Sequence, residues 1–568
     1  MTNKIYHDII YNMLNEVSIS IPLETIDIPS LLNYIKGLEA NYNQRINELE
    51  TNYKNLQFEK EVLQEKYDLL IYKRFANSAE KMLAEEKQPR LFNTEEASAE
   101  TAQEITDNEI EVIKSYKRKK NPGCGRKAID PKIPRREKIL DIAETEKTCA
   151  CGTRLTKIGE ESNEKLHIEP PVIYAEKTIR PKYACRHCEG TEDEATPAVR
   201  IAPVEPSIIP KGIASPSLLS TIIIQKFEDH LPFYRQEQQF QRIMVRISRQ
   251  DMSNWQQQVY EKLKPLFVLL IVTLKSGPVM QMDETVVQVM GEITINKKGE
   301  EEKRSDTAES RMWLARGGPP GKTVVLYQYR QTRAAEHAKE ILEGYSGYLQ
   351  TDGYIGYDSA LKDNNDIIHV GCWAHTRRKI FEAVKVSARA ATAKEGIQYI
   401  KKLYVIESQL RQKYKQDEKD SEEQAAQKRE LFLSERKEQV VPVFNEFKEW
   451  LTKLKDEVPP KTLLGEAVGY SLNQWDKLIR YIESPYLTLD TNAAESAIRP
   501  FAVGRKNWMF AQSPAGADSS CGMYTLIQTA KQNGYAPFQY LKTLFEKAPY
   551  ATSTEDWKKL LPWNILKS

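Results

Sequence analysis

Two acidic side chains stand in this sequence where an acid needs a physical reason. In PVMQMDETVVQVM (278–290) Asp283, with Glu284 beside it, interrupts a run that otherwise reads as a buried strand, and an unpaired carboxylate is costly to bury. In GYLQTDGYIGY (347–357) Asp352 sits at a strand end in front of glycines. Buried carboxylates held side by side repel, and become tolerable when a divalent cation lies between them. A third acid is wanted to hold a second ion roughly 4 Å away. Glu495 in LDTNAAESAIRP (489–500) is the candidate: Asp490 or Thr491 caps a short helix, on which Asn492, Glu495 and Arg499 share a face. Such a two-metal set, Mg²⁺ or Mn²⁺, activates a water or a 3′-hydroxyl and stabilises the leaving oxygen of a phosphodiester, with no protein nucleophile.

The elements around these acids must bring them together. After the first strand and a charged hairpin tip come RMWLA and KTVVLYQY, two more strands. The helical RAAEHAKEILEG follows, then the strand ending at Asp352, then DIIHVGCWAH as a fifth strand. Three antiparallel strands, a helix, a strand, a helix and a strand is the order of a ribonuclease-H-like fold. That fold sets the middle of its first strand beside the end of its fourth. Gly317–Thr323 resembles a phosphate loop but is one residue short and enters a strand, so it reads as a turn. Between Asp352 and Glu495, the residues Ile400, Leu403, Leu410, Phe444, Phe447, Leu451 and Leu454 have helical spacing.

Four of the seven cysteines form two close pairs, Cys149/Cys151 and Cys185/Cys188. Two such knuckles separated by a small hairpin can bring four soft ligands to one structural Zn²⁺. Residues 91–113 carry seven acids and no Lys or Arg, whereas 114–138 carry eleven Lys or Arg against two acids. This basic stretch, broken by Pro and Gly, would lie extended. It suits either a phosphate-tracking arm, with Lys117, Arg118, Lys119, Lys120, Arg126 and Lys127, or a solvated linker. Residues 215–262 read as two short helices and a third opened by the capping box Ser248–Asp251. That is either a helix-turn-helix with Arg249 and Gln250 near the groove or a plain helical bundle. Near the N-terminus Ile35, Tyr42, Leu49, Leu56, Leu63 and Leu70 repeat every seven residues, with Ile46, Tyr53, Lys60 and Tyr67 between them. The repeat predicts a parallel coiled coil; the alternative is one amphipathic helix folded onto its own domain.

With 568 residues, 40% hydrophobic and 29% charged, the chain is a multidomain globular protein, and collagen-like, mucin-like and wholly disordered classes are excluded. Its net charge of +2 is nearly neutral, so the distribution of charge says more about partners than its sum does. The longest apolar run, Leu266 to Leu274, is a core element, and the N-terminus lacks a secretory pattern. A cytoplasmic protein is expected, nucleoid-associated when bound to DNA.

Several stretches, in order and over nearly the full length, resemble transposases of the insertion sequence 66 family, within the Asp-Asp-Glu superfamily. They are IYKRFANSAEKM, QPRLF, IRPKYACRHCE, IPKGIASPSLLSTIIIQKFEDHLPFYRQEQ, QMDET, LQTDGYIGY, GCWAHTRRKIFEA, NAAESAIRPFAVGRKNW and TAKQNGYAPFQYL. The resemblance implies that Asp283, Asp352 and Glu495 form the catalytic triad, that the four paired cysteines bind zinc, and that a helical domain is inserted before Glu495. Arg377, Arg378, Lys379, Arg499, Arg505 and Lys506 flank that centre and are assigned to DNA phosphates; Trp373 and His375 are equally well core residues. One departure is Ile243-Met244, where relatives tend to have Gly at the helix-turn-helix corner.

The expected α+β organisation is N-terminal helices and coiled coil (1–83), acidic linker and basic arm (84–138), zinc module (139–205) and helix-turn-helix-like segment (206–275). A ribonuclease-H-like core (276–379 and 486–515), helical insertion (380–485) and C-terminal helices (516–568) complete it. The expected activity is cleavage of element ends and their transfer to target DNA, by a homo-oligomer with or without accessory proteins of the element. A hydrolytic nuclease and a non-catalytic DNA-binding regulator are the rival readings.

Overall fold

The computed structural model describes residues 28–75, 173–184, 199–295, 299–387, 389–417 and 420–565. The chain divides into two units, residues 94–205 and the remainder. Within the first, β1 (Lys182–Ala184) and β2 (Val199–Ile201) pair antiparallel, and Arg180 Nη1 donates to the Ala202 carbonyl at 2.8 Å.

The larger unit begins with α1 (Ile28–Phe75). Among its described side chains Val62 and Leu69, near its C-terminal end, are buried, and Glu65 accepts from the Ser387 hydroxyl and the Leu463 amide. The heptad residues Tyr42, Leu49, Leu56, Leu63 and Leu70 lie on the exposed face, each more than half exposed.

Four helices then lead to the sheet. Helix α2 (Pro216–Phe227) is capped by the Ser215 hydroxyl and starts with Pro, and α3 (Phe233–Arg242) follows. Helix α4 (Arg249–Lys262) opens with the Ser248–Asp251 capping box, and α5 (Lys264–Lys275) carries the apolar run. Between α3 and α4 the turn is a Schellman closure: Val245 N–H donates to Phe240 and Met244 N–H to Gln241. Met244 there takes φ +61° and is 92% exposed, the left-handed conformation that Gly adopts without penalty.

The sheet consists of β3 (Val279–Val289), β6 (Glu309–Gly317), β7 (Val324–Arg330), β8 (Gly347–Gln350) and β9 (Ile367–Val370), in the order β7-β6-β3-β8-β9. Strands β4 (Ile293–Ile295) and β5 (Glu301–Lys303) form the hairpin between β3 and β6. The pairs β3–β6 and β6–β7 are antiparallel; β3–β8 and β8–β9 are parallel. Helices α6 (Ala335–Leu342) and α7 (Ile355–Leu361) make the crossovers that parallel pairing requires.

From β9 the chain enters a helical layer: α8 (Trp373–Val386), α9 (Ala390–Lys413), α10 (Glu422–Glu457), α11 (Leu463–Asn473) and α12 (Trp475–Leu478). It has its own core, in which Trp373 is fully buried and stacks on Phe444 with ring centroids 5.6 Å apart. Trp373 is therefore a packing residue. The chain returns through α13 (Asn492–Trp508), longer than the short helix expected, and β10 (Phe510–Ala511), which adds to β3. Helix α14 (Pro514–Gln532) then lies along β7, where the Thr525 and Thr529 hydroxyls accept the amides of Tyr327 and Val325. Those bonds satisfy an edge strand with side chains. Helices α15 (Pro537–Lys547), α16 (Thr554–Lys559) and α17 (Pro562–Ile565) end the described chain. One continuous core joins α2–α5, the sheet, α13 and α14–α17.

Candidate active site

Strands β3 and β8 run parallel, with Val279 opposite Tyr348 and Gln281 opposite Gln350. Asp283 and Asp352 each lie two residues beyond the last of these pairs, so both acids emerge at the same level of the sheet. Beneath them the side chains of Gln281 and Gln350 are buried and joined by an amide hydrogen bond of 2.9 Å. These amides also fasten the segment leading into α13: Gln281 donates to the Asp490 carbonyl at 3.2 Å, and Gln350 to the Thr488 carbonyl at 2.7 Å. Glu495, in the first turn of α13, is thereby tied to the same strand ends.

Among the described residues the charges acting most strongly on Asp283 are those of other acids. Burial pushes its carboxyl up to about 7, and the negative charges of Glu284, Glu495 and Asp352 add to that, against one amide hydrogen bond from Glu284 that lowers it. Its neighbour Glu284 points elsewhere and is satisfied, pairing with Arg333 and accepting from the Tyr357 hydroxyl at 2.6 Å. Burial opposes the Arg333 charge, yet Glu284 outweighs it and holds that guanidinium above its ordinary pKa. Arg333 also stacks over the Tyr354 ring, 3.6 Å from its centroid, and lies 3.9 Å from Asp352 Oδ2. Asp352 Oδ1 accepts the Tyr354 amide at 3.0 Å.

Glu495 Oε2 accepts from Arg378 at 3.1 Å, while Oε1 lies 3.9 Å from His375 Nε2. His375 is shifted down by burial, partly offset by Glu495, so its ring favours the neutral form. Asp352 and Glu495 each have an arginine beside them, and Asp283 has no ion pair among the described residues. Among the described residues, a three-donor cluster with ligand atoms all within 4.8 Å of one another occurs at Cys372, His375 and Glu495, not at the three acids.

The remaining expected contacts divide by placement. Arg249 and Gln250 are exposed at the start of α4, where the Gln250 amide bonds Asn254 at 2.9 Å. Arg378, Lys379, Arg499 and Lys506 are exposed on α8 and α13, with Lys379 over the Tyr470 ring. Arg377 is half-buried beside Phe381. Arg505 turns inward instead, bonding the Thr285 hydroxyl and the Val286 carbonyl on β3. Lys117, Arg118, Lys119, Lys120, Arg126, Lys127 and the cysteines Cys149, Cys151, Cys185 and Cys188 lie outside the described residues.

Sequence reading missed the Gln281–Gln350 clamp, Arg333 and Tyr357. The clamp had a signal: Gln stands two residues before Asp in both QMDET and LQTDG. It also missed how the helical layer reaches the site. A Cβ on Gly353 would meet the Tyr470 ring of α11 at 2.6 Å, so the residue after Asp352 must be Gly while that ring stays where it is.

The sequence model of the family described as Transposase IS66 family matches residues 211–519, more than half of the chain and all three acids. The chain belongs to that family. A zinc-finger binding domain of transposase IS66 matches residues 146–189, spanning the four paired cysteines, and the IS66 C-terminal element matches 525–563. The IS66-family chain is 30% identical over 438 residues to the uncharacterized protein y4qI of Sinorhizobium fredii, covering 76% of each. It is 28% identical over 443 residues to the uncharacterized protein y4jD of the same organism, covering 76% of this chain and 80% of the relative. No helix among the described residues is long and apolar enough to cross a membrane.

Proposed function

We propose that this chain is a DNA transposase whose Asp283, Asp352 and Glu495 hold divalent cations for phosphodiester cleavage and strand transfer, on a ribonuclease-H-like sheet. One observation carries the reading: the two aspartates stand at equal offsets past the Gln281–Gln350 pair, where Glu284, Glu495 and Asp352 together hold the Asp283 carboxyl up. An all-oxygen, electronegative donor set suits Mg²⁺ or Mn²⁺. When bound, such ions supply an activated water or 3′-hydroxyl and offset charge at the leaving oxygen.

The chain's own groups do the rest. Asp283 sits ready to lose its proton near neutral pH. Gln281 and Gln350 fix the strand ends, and Arg333 restrains Asp352. Arg378 neutralises Glu495 in the free protein and, once displaced, faces the DNA backbone with Lys379, Arg499 and Lys506. Arg505 braces α13 against β3. The zinc module, the basic arm and the exposed start of α4 hold element ends. The uncovered heptad face of α1 pairs with that of a second copy as a coiled coil.

The test is to incubate the purified protein with element-terminal DNA, Mg²⁺ and a target plasmid, then sequence the junctions. Ends joined through their 3′-hydroxyls are expected. Nicked ends without junctions would leave a hydrolytic nuclease, and intact ends would remove the enzymatic reading.

A further inference from the structure

A second donor set of different chemistry lies against the acidic centre. Cys372 is the N-cap residue of α8, His375 lies in the first turn of that helix, and Glu495 lies in the first turn of α13. The cysteine sulfur, an imidazole nitrogen and a carboxylate oxygen all fall within 4.8 Å of one another. A tetrahedral ion with bonds of roughly 2.0–2.3 Å keeps its ligands about 3.5 Å apart, so side-chain adjustments of about 1 Å close the set.

Three features mark it as more than a packing accident. Glu495 gives one oxygen to Arg378, whereas Oε1, on the His375 side, is buried with no hydrogen-bond partner. His375 Nδ1 is buried and unpartnered as well. The sulfur of Cys372 receives the Thr491 amide at 3.4 Å and the Thr491 hydroxyl at 3.3 Å, donors of the kind that steady a metal-bound thiolate. Burial pushes the free Cys372 thiol up to about 11, so a cation arriving there must displace its proton. Sulfur, nitrogen and oxygen together select soft or borderline divalent ions over Mg²⁺, and three protein ligands leave a fourth position open.

We propose that Cys372, His375 and Glu495 bind a soft or borderline divalent cation of the Zn²⁺ or Cd²⁺ class, at a site sharing Glu495 with the carboxylate centre. The site's existence rests on its own three donors; its consequence rests on the proposed role of Glu495. With Oε1 drawn to the thiolate site and Oε2 held by Arg378, Glu495 has no oxygen left for the carboxylate centre. Filling the thiolate site therefore withdraws Glu495 from Asp283 and Asp352 and silences the Mg²⁺-dependent reaction.

The experiment uses the full-length protein carrying its resident zinc. Cd²⁺ is titrated while ultraviolet thiolate-to-cadmium charge transfer, bound cadmium and released zinc are followed together. Wild type is expected to take up one cadmium beyond those exchanging with zinc, with a matching thiolate band. Cys372→Ser and His375→Gln should each weaken that extra binding at least about tenfold, and Asp283→Asn should keep it. Equal uptake by wild type and Cys372→Ser overturns the proposal, as does loss of uptake in Asp283→Asn, which would move the ion to the carboxylates. Thermal melts show that each variant is folded; should Cys372→Ser fail that check, His375→Gln decides alone.

In a second arm, cadmium at site-filling concentration should stop Mg²⁺-dependent end cleavage, and Cys372→Ser should resist it at least about tenfold more than wild type. Equal sensitivity would overturn the shared-ligand consequence. A protein inactive in Mg²⁺ alone would sink the proposed reaction while the binding titration still judges the site.

Discussion

The folded chain buries charge in two regions, and treats it oppositely. In the helical layer Arg436 of α10 and Glu407 of α9 are 0% and 1% exposed and meet at 2.6 Å. Arg436 Nη1 donates to the carbonyls of Tyr481 and Ser484 and Nη2 also to that of Leu487, and Arg411 adds a second cation to Glu407 at 2.7 Å, leaving Arg436 Nε and Glu407 Oε2 buried without a hydrogen-bond partner among the described residues. At the sheet, Asp283 is half-buried near three other acids and receives one amide hydrogen bond. Burial of charge is therefore no mark of a functional site in itself. A buried pair that meets its own charge is a packing element of the fold; the half-buried acid crowded by other acids is where we propose a cation.

The sharpest break of this contrast is Asp283→Asn. It is expected to reduce Mg²⁺-dependent end cleavage by roughly 10³-fold or more while leaving end binding intact, measured by gel assay of labelled terminal DNA. Cleavage within tenfold of wild type would place the reaction elsewhere.

Arg436→Met probes the other region. Stripping a buried carboxylate of its main partner should cost about 3 kcal/mol in a denaturant melt, and pairing it with Glu407→Leu should recover much of that loss. A double variant less stable than the single one would mean that the pair does more than offset its own burial.

The same Asp283→Asn change should stabilise the Mg²⁺-free protein, by on the order of 2 kcal/mol at pH 8. The sign follows from the raised carboxyl. Below the ordinary carboxylate range Asp283 is neutral both folded and unfolded, and contributes no difference. As pH rises from that range to about 7 the unfolded form is ionised while the folded one keeps its proton, so wild type loses stability that the Asn variant keeps, and above about 7 the loss is complete. Melts at pH 4 and pH 8 measure it, and an equal difference at both would assign the effect to packing. The smallest effect expected is at Met244→Gly, a gain of about 0.5–1 kcal/mol from relieving a left-handed residue with little packing to lose. A loss would show that the Met side chain is engaged.

Much of the sheet was legible because alternation, length and turn residues agree there. Strands β3, β6, β7, β8 and β9 and helices α6 and α7 follow the order read from hydrophobic pattern, and the Ser215 and Ser248 caps are where the residues call for them. Periodicity could not say what covers a stripe. The heptads of α1 and the apolar residues of α10 look alike in sequence, yet Phe444, Phe447 and Leu451 are buried by their own chain and Leu56 and Leu63 are not. Side-chain partnerships were equally opaque. Nothing local in the sequence separates Arg505, turned onto β3, from Lys506, which faces solvent. Such choices depend on residues hundreds of positions away, here Thr285 and Val286.

The close approach of Gly353 to Tyr470 ties the helical layer to the strand end that carries Asp352. Loosen α11, and the ring that fills the space over Gly353 drifts; bulk up Gly353, and the ring must leave. Either way the disturbance arrives at the peptide bond joining Asp352 to its successor, so injuries remote in sequence would surface as a misaimed carboxylate before they registered as unfolding.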